Sequence, residues 1–160
     1  MQPAWSVGVM RISLAIVRYA LADLAEDPET KKCRLEEAIL DMENGLKLCF
    51  EDVQAFEKQF PAAPWVLGWN RHKMGIWLDH LYKLTKTEEY LRKAAKTFVE
   101  AAEMYEKVDA KNRVAECQWK AAQAYDDLGE HLKAAQHFDL ASDTYKSLSE
   151  RTAQIKNLYQ

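Results

Sequence analysis

Residues 117–145 read CQWKAAQAYDDLGEHLKAAQHFDLASDTY, and the second half of that stretch is a copy of something earlier. Lys133-Ala134-Ala135-x-x-Phe138-x-x-Ala141-x-x-x-Tyr145 repeats Lys93-Ala94-Ala95-x-x-Phe98-x-x-Ala101-x-x-x-Tyr105, with six identities at one offset of 40 residues. Self-similarity at a fixed spacing of this size marks a stack of helical units, each too small to bury its own apolar face alone. Upstream of the copy, Val114, Cys117, Ala121, Ala122, Tyr125 and Leu128 hold a 3.6-residue period, with Gln118 as the one polar exception. Gly129 follows at once, where a left-handed residue ends a helix. Small side chains alternate with aromatic ones, so helix backbones can approach while rings fill the gaps.

These residues resemble a tetratricopeptide repeat. Ala122, Tyr125, Gly129, Ala134, Phe138 and Ala141 fall on that family's small, aromatic, turn and packing positions. Gln118 stands where the family has a large apolar residue, and the proline expected after the second helix is missing. A spacing of 40 rather than the usual 34 implies longer helices, similar to those of SNAP-type fusion adaptors. The resemblance is best over residues 88–148, partial over 64–87 and weak before that. It implies an all-α superhelix and a protein that binds other proteins.

Outward from this stretch, the chain divides at its breakers. Helix one is expected from Pro3 to Ala25 and ends at Asp27-Pro28. Helix two is expected from Glu29 to Phe60, with Ala38-x-x-x-Met42-x-x-Gly45 as a faint first repeat. Phe60-Pro61-Ala62-Ala63-Pro64 is a stiff linker, too short to separate domains. Helix three, Trp65 to Leu84, is apolar nearly all round, as in the middle of a stack. Thr87 is expected to cap helix four, which ends near Val108, and Asp109 or a neighbour to cap helix five. Helix six is expected to end near Ser147, with a polar seventh helix over 149–159 as a cap. The fold expected is one domain over 1–160: antiparallel hairpins over about 3–60, 64–108 and 110–148, then the cap. Its first helices would line a concave face.

With 160 residues, 29% of them charged, and only 5 Gly and 4 Pro, composition suits an all-helical domain with a sizeable core. A net charge of −3 gives no basic footprint for nucleic acid. Cys33, Cys49 and Cys117 are unevenly spaced and lie within helical patterns, which reads as buried free thiols in a reducing compartment. The apolar run from Val7 to Ala22 is interrupted by Arg11 and Arg18. Signal peptides carry their charges before the apolar region, and a spanning helix needs roughly 20 mostly apolar residues. The run is therefore expected to be a helix buried on two sides, with no membrane insertion, in a cytoplasmic protein.

Trp119 lies about 200° round the helix from Cys117, among Glu116, Gln123 and Asp126. It is a candidate partner-binding anchor; the alternative is that it packs on helix three. Aligning Leu84 with Leu128 puts His72, Gly75, Asp79 and Lys83 on the matching face of helix three. Gly75 is then expected to leave room for a ligand side chain opposite Trp119. Those residues, Gly75 aside, form the candidate partner-binding set; a solvated charged face is the alternative. The Lys/Asn/Arg set of carboxylate-clamp repeats is replaced here by Trp119, Gln123 and acids. Trp65 and Trp69 are candidates for a second apolar patch.

His72, His80, His131 and His137 lack partners at metal-site or catalytic spacing, and no P-loop, GxSxG, HExxH or GxGxxG occurs. No cofactor is expected. The function expected is a non-enzymatic scaffold or adaptor gripping a peptide or helix of a partner in its hollow. The alternative is a regulatory or sensory module of a larger ATPase or transcription-related assembly. An enzyme on a helical scaffold is motivated by the four histidines alone. The apolar ends of such a stack also allow a homo-oligomer.

Overall fold

A computed structural model describes residues 3–51 and 53–158, with the backbone alone for 153 and 155–158. The described residues form an all-α structure with helices α1 (Ala4–Asp23), α2 (Pro28–Glu51), α3 (Val53–Gln59), α4 (Ala63–Thr85), α5 (Glu88–Glu106), α6 (Lys111–Asp127) and α7 (His131–Leu158). The pairs α1–α2, α4–α5 and α6–α7 pack along their lengths, and the turns joining them are short enough to fold each pair back as a hairpin. The hairpins meet in chain order, α2 on α4 and α5 on α6.

The helix boundaries have local causes. The Asp27 carboxylate accepts hydrogen bonds from the Thr30 backbone N–H (2.8 Å) and hydroxyl (2.7 Å), capping α2 with Pro28 in its first turn. Those bonds hold the Asp27 carboxyl below its ordinary range. Gly129 has φ +74, and its N–H and that of Glu130 close the α6 terminus on Asp126 and Tyr125 carbonyls. The expected side-chain caps are absent. Thr87 holds the N-cap position of α5 without a capping bond, and Ala110 rather than Asp109 precedes α6. Asp109 instead turns the chain with φ 52, and Lys86 does the same after α4 with φ 57.

Three other boundaries differ from expectation. The helix expected over 29–60 is two elements, α2 and α3. The expected cap over 149–159 is no separate element: α7 runs through Ser147-Leu148-Ser149 unbroken, because that tripeptide holds neither Gly nor Pro. Tyr159, the last residue of that expected cap, lies outside the described residues. Nor is α1 buried on two sides. Gly8, Ile12, Ala15 and Ala22 are buried, while Val7, Met10, Leu14, Val17 and Leu21 on the other sides are exposed. By length and hydropathy α1 is also the one described helix that could cross a membrane.

Close approach sets the α1–α2 crossing. A Cβ on Gly8 would sit 2.7 Å from the Gly45 carbonyl oxygen, and one on Gly45 2.8 Å from the Gly8 carbonyl oxygen. Gly45 is the last member of the faint first repeat, whose Ala38 and Met42 are also fully buried. Arg18 (2.7 Å) and Arg11 (3.3 Å) both reach across to Asp41 of α2, which is buried. At the first helix's other end, Trp5 packs on Phe56 and Phe60, tying α3 to α1.

Helix α4 is covered on several sides, as its all-round apolar pattern predicts; Leu67, Met74, Trp77, Leu78 and Leu81 are core. Tyr19 of α1 stacks on Trp77, rings 4.6 Å apart and 10° from parallel. Tyr105 of α5 is fully buried against the edge of Trp65 and the α6 residues Val114 and Cys117. Burial of one such ring stabilises by about 1.5–3 kcal/mol. Gln118 is buried too, and its side-chain carbonyl accepts a 2.6 Å hydrogen bond from His137 of α7, which satisfies the polar exception. Cys49 and Cys117 are buried free thiols as expected, but Cys33 is exposed, since it lies on the side of α2 facing away from α1 and α4.

Candidate functional site

Between α4 and α6 lies a hollow of about 480 Å³. Asp79, His80 and Lys83 form one wall and Lys120, Gln123, Asp126 and Asp127 the other, above Ile76 and Phe98. The helical repeat explains the walls. Positions 79 and 83 on α4 are four apart, and 120, 123 and 127 on α6 are three and four apart, so each set shares one helix face. A second hollow of about 410 Å³ lies between α4 and the α1–α2 hairpin, lined by Tyr19 and Asp23 of α1 and Lys31 and Leu35 of α2. It shares His80 and Lys83 with the first, so the two form one strip running from α6 across α4 to α1.

The charges in the strip are mixed and largely paired. Lys83 and Asp79 are 2.6 Å apart on α4. His131 donates to the Asp126 carboxylate at 2.9 Å. Lys120 lies over the Phe98 ring, 5.9 Å from its centre. The Tyr19 hydroxyl and His80 Nδ1 share a 3.0 Å hydrogen bond, and burial lowers the basicity of His80. Such exposed pairs stabilise little; they set the charge pattern a visitor meets.

Of the sequence-derived set, Asp79, Lys83, Gln123 and Asp126 share this hollow. His72, which is buried, and Glu116, which is half-buried, form a separate pair further toward the α4 N-terminus. His72 is 4% exposed, edge-on to Phe98 and Trp69, with Nε2 3.7 Å from the Glu116 carboxylate. Neither ring nitrogen has a hydrogen-bond partner. Burial lowers the His72 pKa, with Lys120 and Arg113 adding to the effect and Glu116 opposing it. Glu116 is itself held by Arg113 at 2.8 Å, and Arg113 lies over Trp69.

Trp119 is 44% exposed and faces α7, beside Phe138 and Tyr145. It does not line the hollow with Asp79 and Gln123. The room expected at Gly75 is also filled: a Cβ there would be 2.6 Å from Phe98 Cε1. Trp65 (38% exposed) and Trp69 lie together, rings 5.6 Å apart, at the start of α4.

Sequence reasoning missed His80, Lys120, Asp127 and the Phe98 floor. The signal for Lys120 and Asp127 was present, since both flank Gln123 at helical spacing. Centring the face on Trp119 turned it about 100° too far. Among the described residues, no group of three or more His, Cys, Asp or Glu is placed to hold a metal ion. No family model, curated protein or solved structure matches this chain.

Proposed function

We propose that this protein is a non-enzymatic, tetratricopeptide-like interaction scaffold that binds an extended segment of a partner protein along the α6–α4–α1 strip. The observation that carries this reading is the continuity of the two hollows through His80 and Lys83. A strip crossing three helices suits a chain segment better than a compact small molecule, which is held in an enclosed pocket. Apolar floor residues such as Ile76 and Phe98 would take hydrophobic side chains, and the rim would select charge. The burial of Ala94 and Ala134 alike, and of Ala101 and Ala141 alike, supports the repeat reading.

The test is a peptide selected from a random library on the wild-type protein, its affinity then measured by calorimetry. Charge reversals Asp79→Lys and Lys120→Glu are expected to weaken it at least about tenfold each, the range for rim and wall charges at an interface. Unchanged affinity in both variants would contradict the assignment.

A further inference from the structure

The first and last helices of the chain carry complementary deficits. Leu91, Ala95, Ala102 and Tyr105 of α5 are buried, yet their counterparts 40 residues on, His131, Ala135, Ser142 and Tyr145 of α7, are exposed. Helix α6 makes the difference. Its Val114 and Cys117 pack on Ala102 and Tyr105, and its Ala124 and Leu128 on Leu91 and Ala95. No described residue covers α7 in the same way. The open strip borders a hollow of about 520 Å³ between Trp119, Phe138, Ser142 and Tyr145.

Helix α1 presents what α7 lacks. Val7, Met10, Leu14, Val17 and Leu21 are 36–56% exposed. Their spacing of +3, +4, +3, +4 is that of Val114, Cys117, Ala121, Ala124 and Leu128, the stripe that α6 lays on α5. On α6 that stripe lies roughly a third of a turn from the side that meets α7. On α1 the exposed stripe lies roughly a third of a turn, in the same rotational sense, from the side that meets α2. The stripe is also uncharged. Arg11 and Arg18, the only charged residues from Ala4 to Ala22, are turned onto Asp41. Its side chains are larger than those of α6, and α7 meets them with Ala135 and Ser142 where α5 has Ala95 and Ala102.

We propose that α1 of one copy seats on α7 of the next, repeating between molecules the seam that α5 and α6 make within one. The occupant is a second copy because one contact then covers both exposed faces. Pairing of two α1 helices, or α1 on a lipid surface, would leave Trp119 and Tyr145 open. Unlike faces meet, so assembly continues head to tail rather than stopping at a two-fold dimer. This interface lies at the ends of the helix series, and does not depend on what the α4–α6 hollow binds.

Sedimentation velocity of the full chain over a wide concentration range tests it, with Val17→Glu on α1 and Tyr145→Glu on α7. The wild type is expected to rise in mass past the dimer, and each variant alone to stay monomeric. An equimolar mixture of the two variants is expected to form 1:1 dimers, because each keeps the face the other has lost. A wild type that is monomeric throughout overturns the proposal, as does a Tyr145→Glu variant that still dimerises. Flotation of a monomeric wild type with phosphatidylcholine vesicles would assign α1 to lipid and overturn it equally. Should either charged variant fail to fold by circular dichroism, cysteine cross-linking in a Cys33→Ser background replaces it. Met10→Cys and Ser142→Cys copies, at the positions matching Cys117 and Ala102, are then expected to join to each other on oxidation, and absence of that cross-link counts against the seam.

Discussion

Phe98 lies across Gly75, so close that a Cβ on the glycine would meet Phe98 Cε1 at 2.6 Å. The ring is rigid and holds contacts with His72 and Lys120, which a shift toward the hollow would disturb. Gly75→Ala is therefore expected to destabilise the fold by about 1–3 kcal/mol, despite alanine's better helix propensity. Urea unfolding followed by circular dichroism checks it; an unchanged or raised midpoint would show that the ring yields.

The repeat gives Phe98 a counterpart in a different setting. Phe98 is 4% exposed and Phe138 36%. Phe98→Ala is expected to cost about 3–5 kcal/mol. Phe138→Ala, measured where the chain is monomeric, is expected to cost on the order of 1 kcal/mol. Equal losses in the same urea assay would contradict the placement of α7 at an uncovered end.

His72 makes stability pH-dependent with a definite sign. Burial, the largest cause, lowers its folded pKa below the ordinary 6.5. The unfolded chain therefore binds the proton first as pH falls. The stabilisation is complete above about pH 6.5 and is lost as pH drops toward the lower folded value. His80 and His137 are shifted the same way, again by burial. Melting temperature is expected to fall between pH 7.5 and 5.5, and less steeply in His72→Gln. Identical slopes for the variant and the wild type would remove His72 from this role.

The three thiols should separate by reactivity. Burial pushes Cys49 up to about 11 and Cys117 up to about 12, while Cys33 is exposed. Because the thiolate is the reactive form, iodoacetamide is expected to add once to the native protein, at Cys33, and three times in urea. Mass spectrometry of the labelled peptides reads this directly. Rapid native labelling of Cys117 would show that the α5–α6 seam opens.

Much of this fold is legible in the sequence because its signals are local. Pro28, Pro61, Pro64 and Gly129 mark real boundaries, and the 3.6-residue period of 114–128 gives α6 its buried face. What was hidden depends on contacts between distant helices. Nothing local says that Phe98 fills the space at Gly75, or that Trp119 turns to α7. The break expected near Ser147 does not occur, because serine alone does not end a helix. The burial of α1 was overestimated because apolar composition counts faces without saying which have partners. The candidate site was half legible: Asp79 and Lys83 share one face of α4 by spacing, and Gln123 and Asp126 one of α6, whereas His72 needed a depth that only packing gives.

The most direct test of the binding strip is an amide chemical-shift titration of labelled protein with a library-selected peptide. The largest changes are expected at Asp79, His80 and Lys83 of α4 and Lys120, Gln123 and Asp127 of α6, with smaller ones at Tyr19 and Asp23. Changes confined to the Trp119–Tyr145 surface of α6 and α7, with the α4–α6 hollow silent, would contradict it.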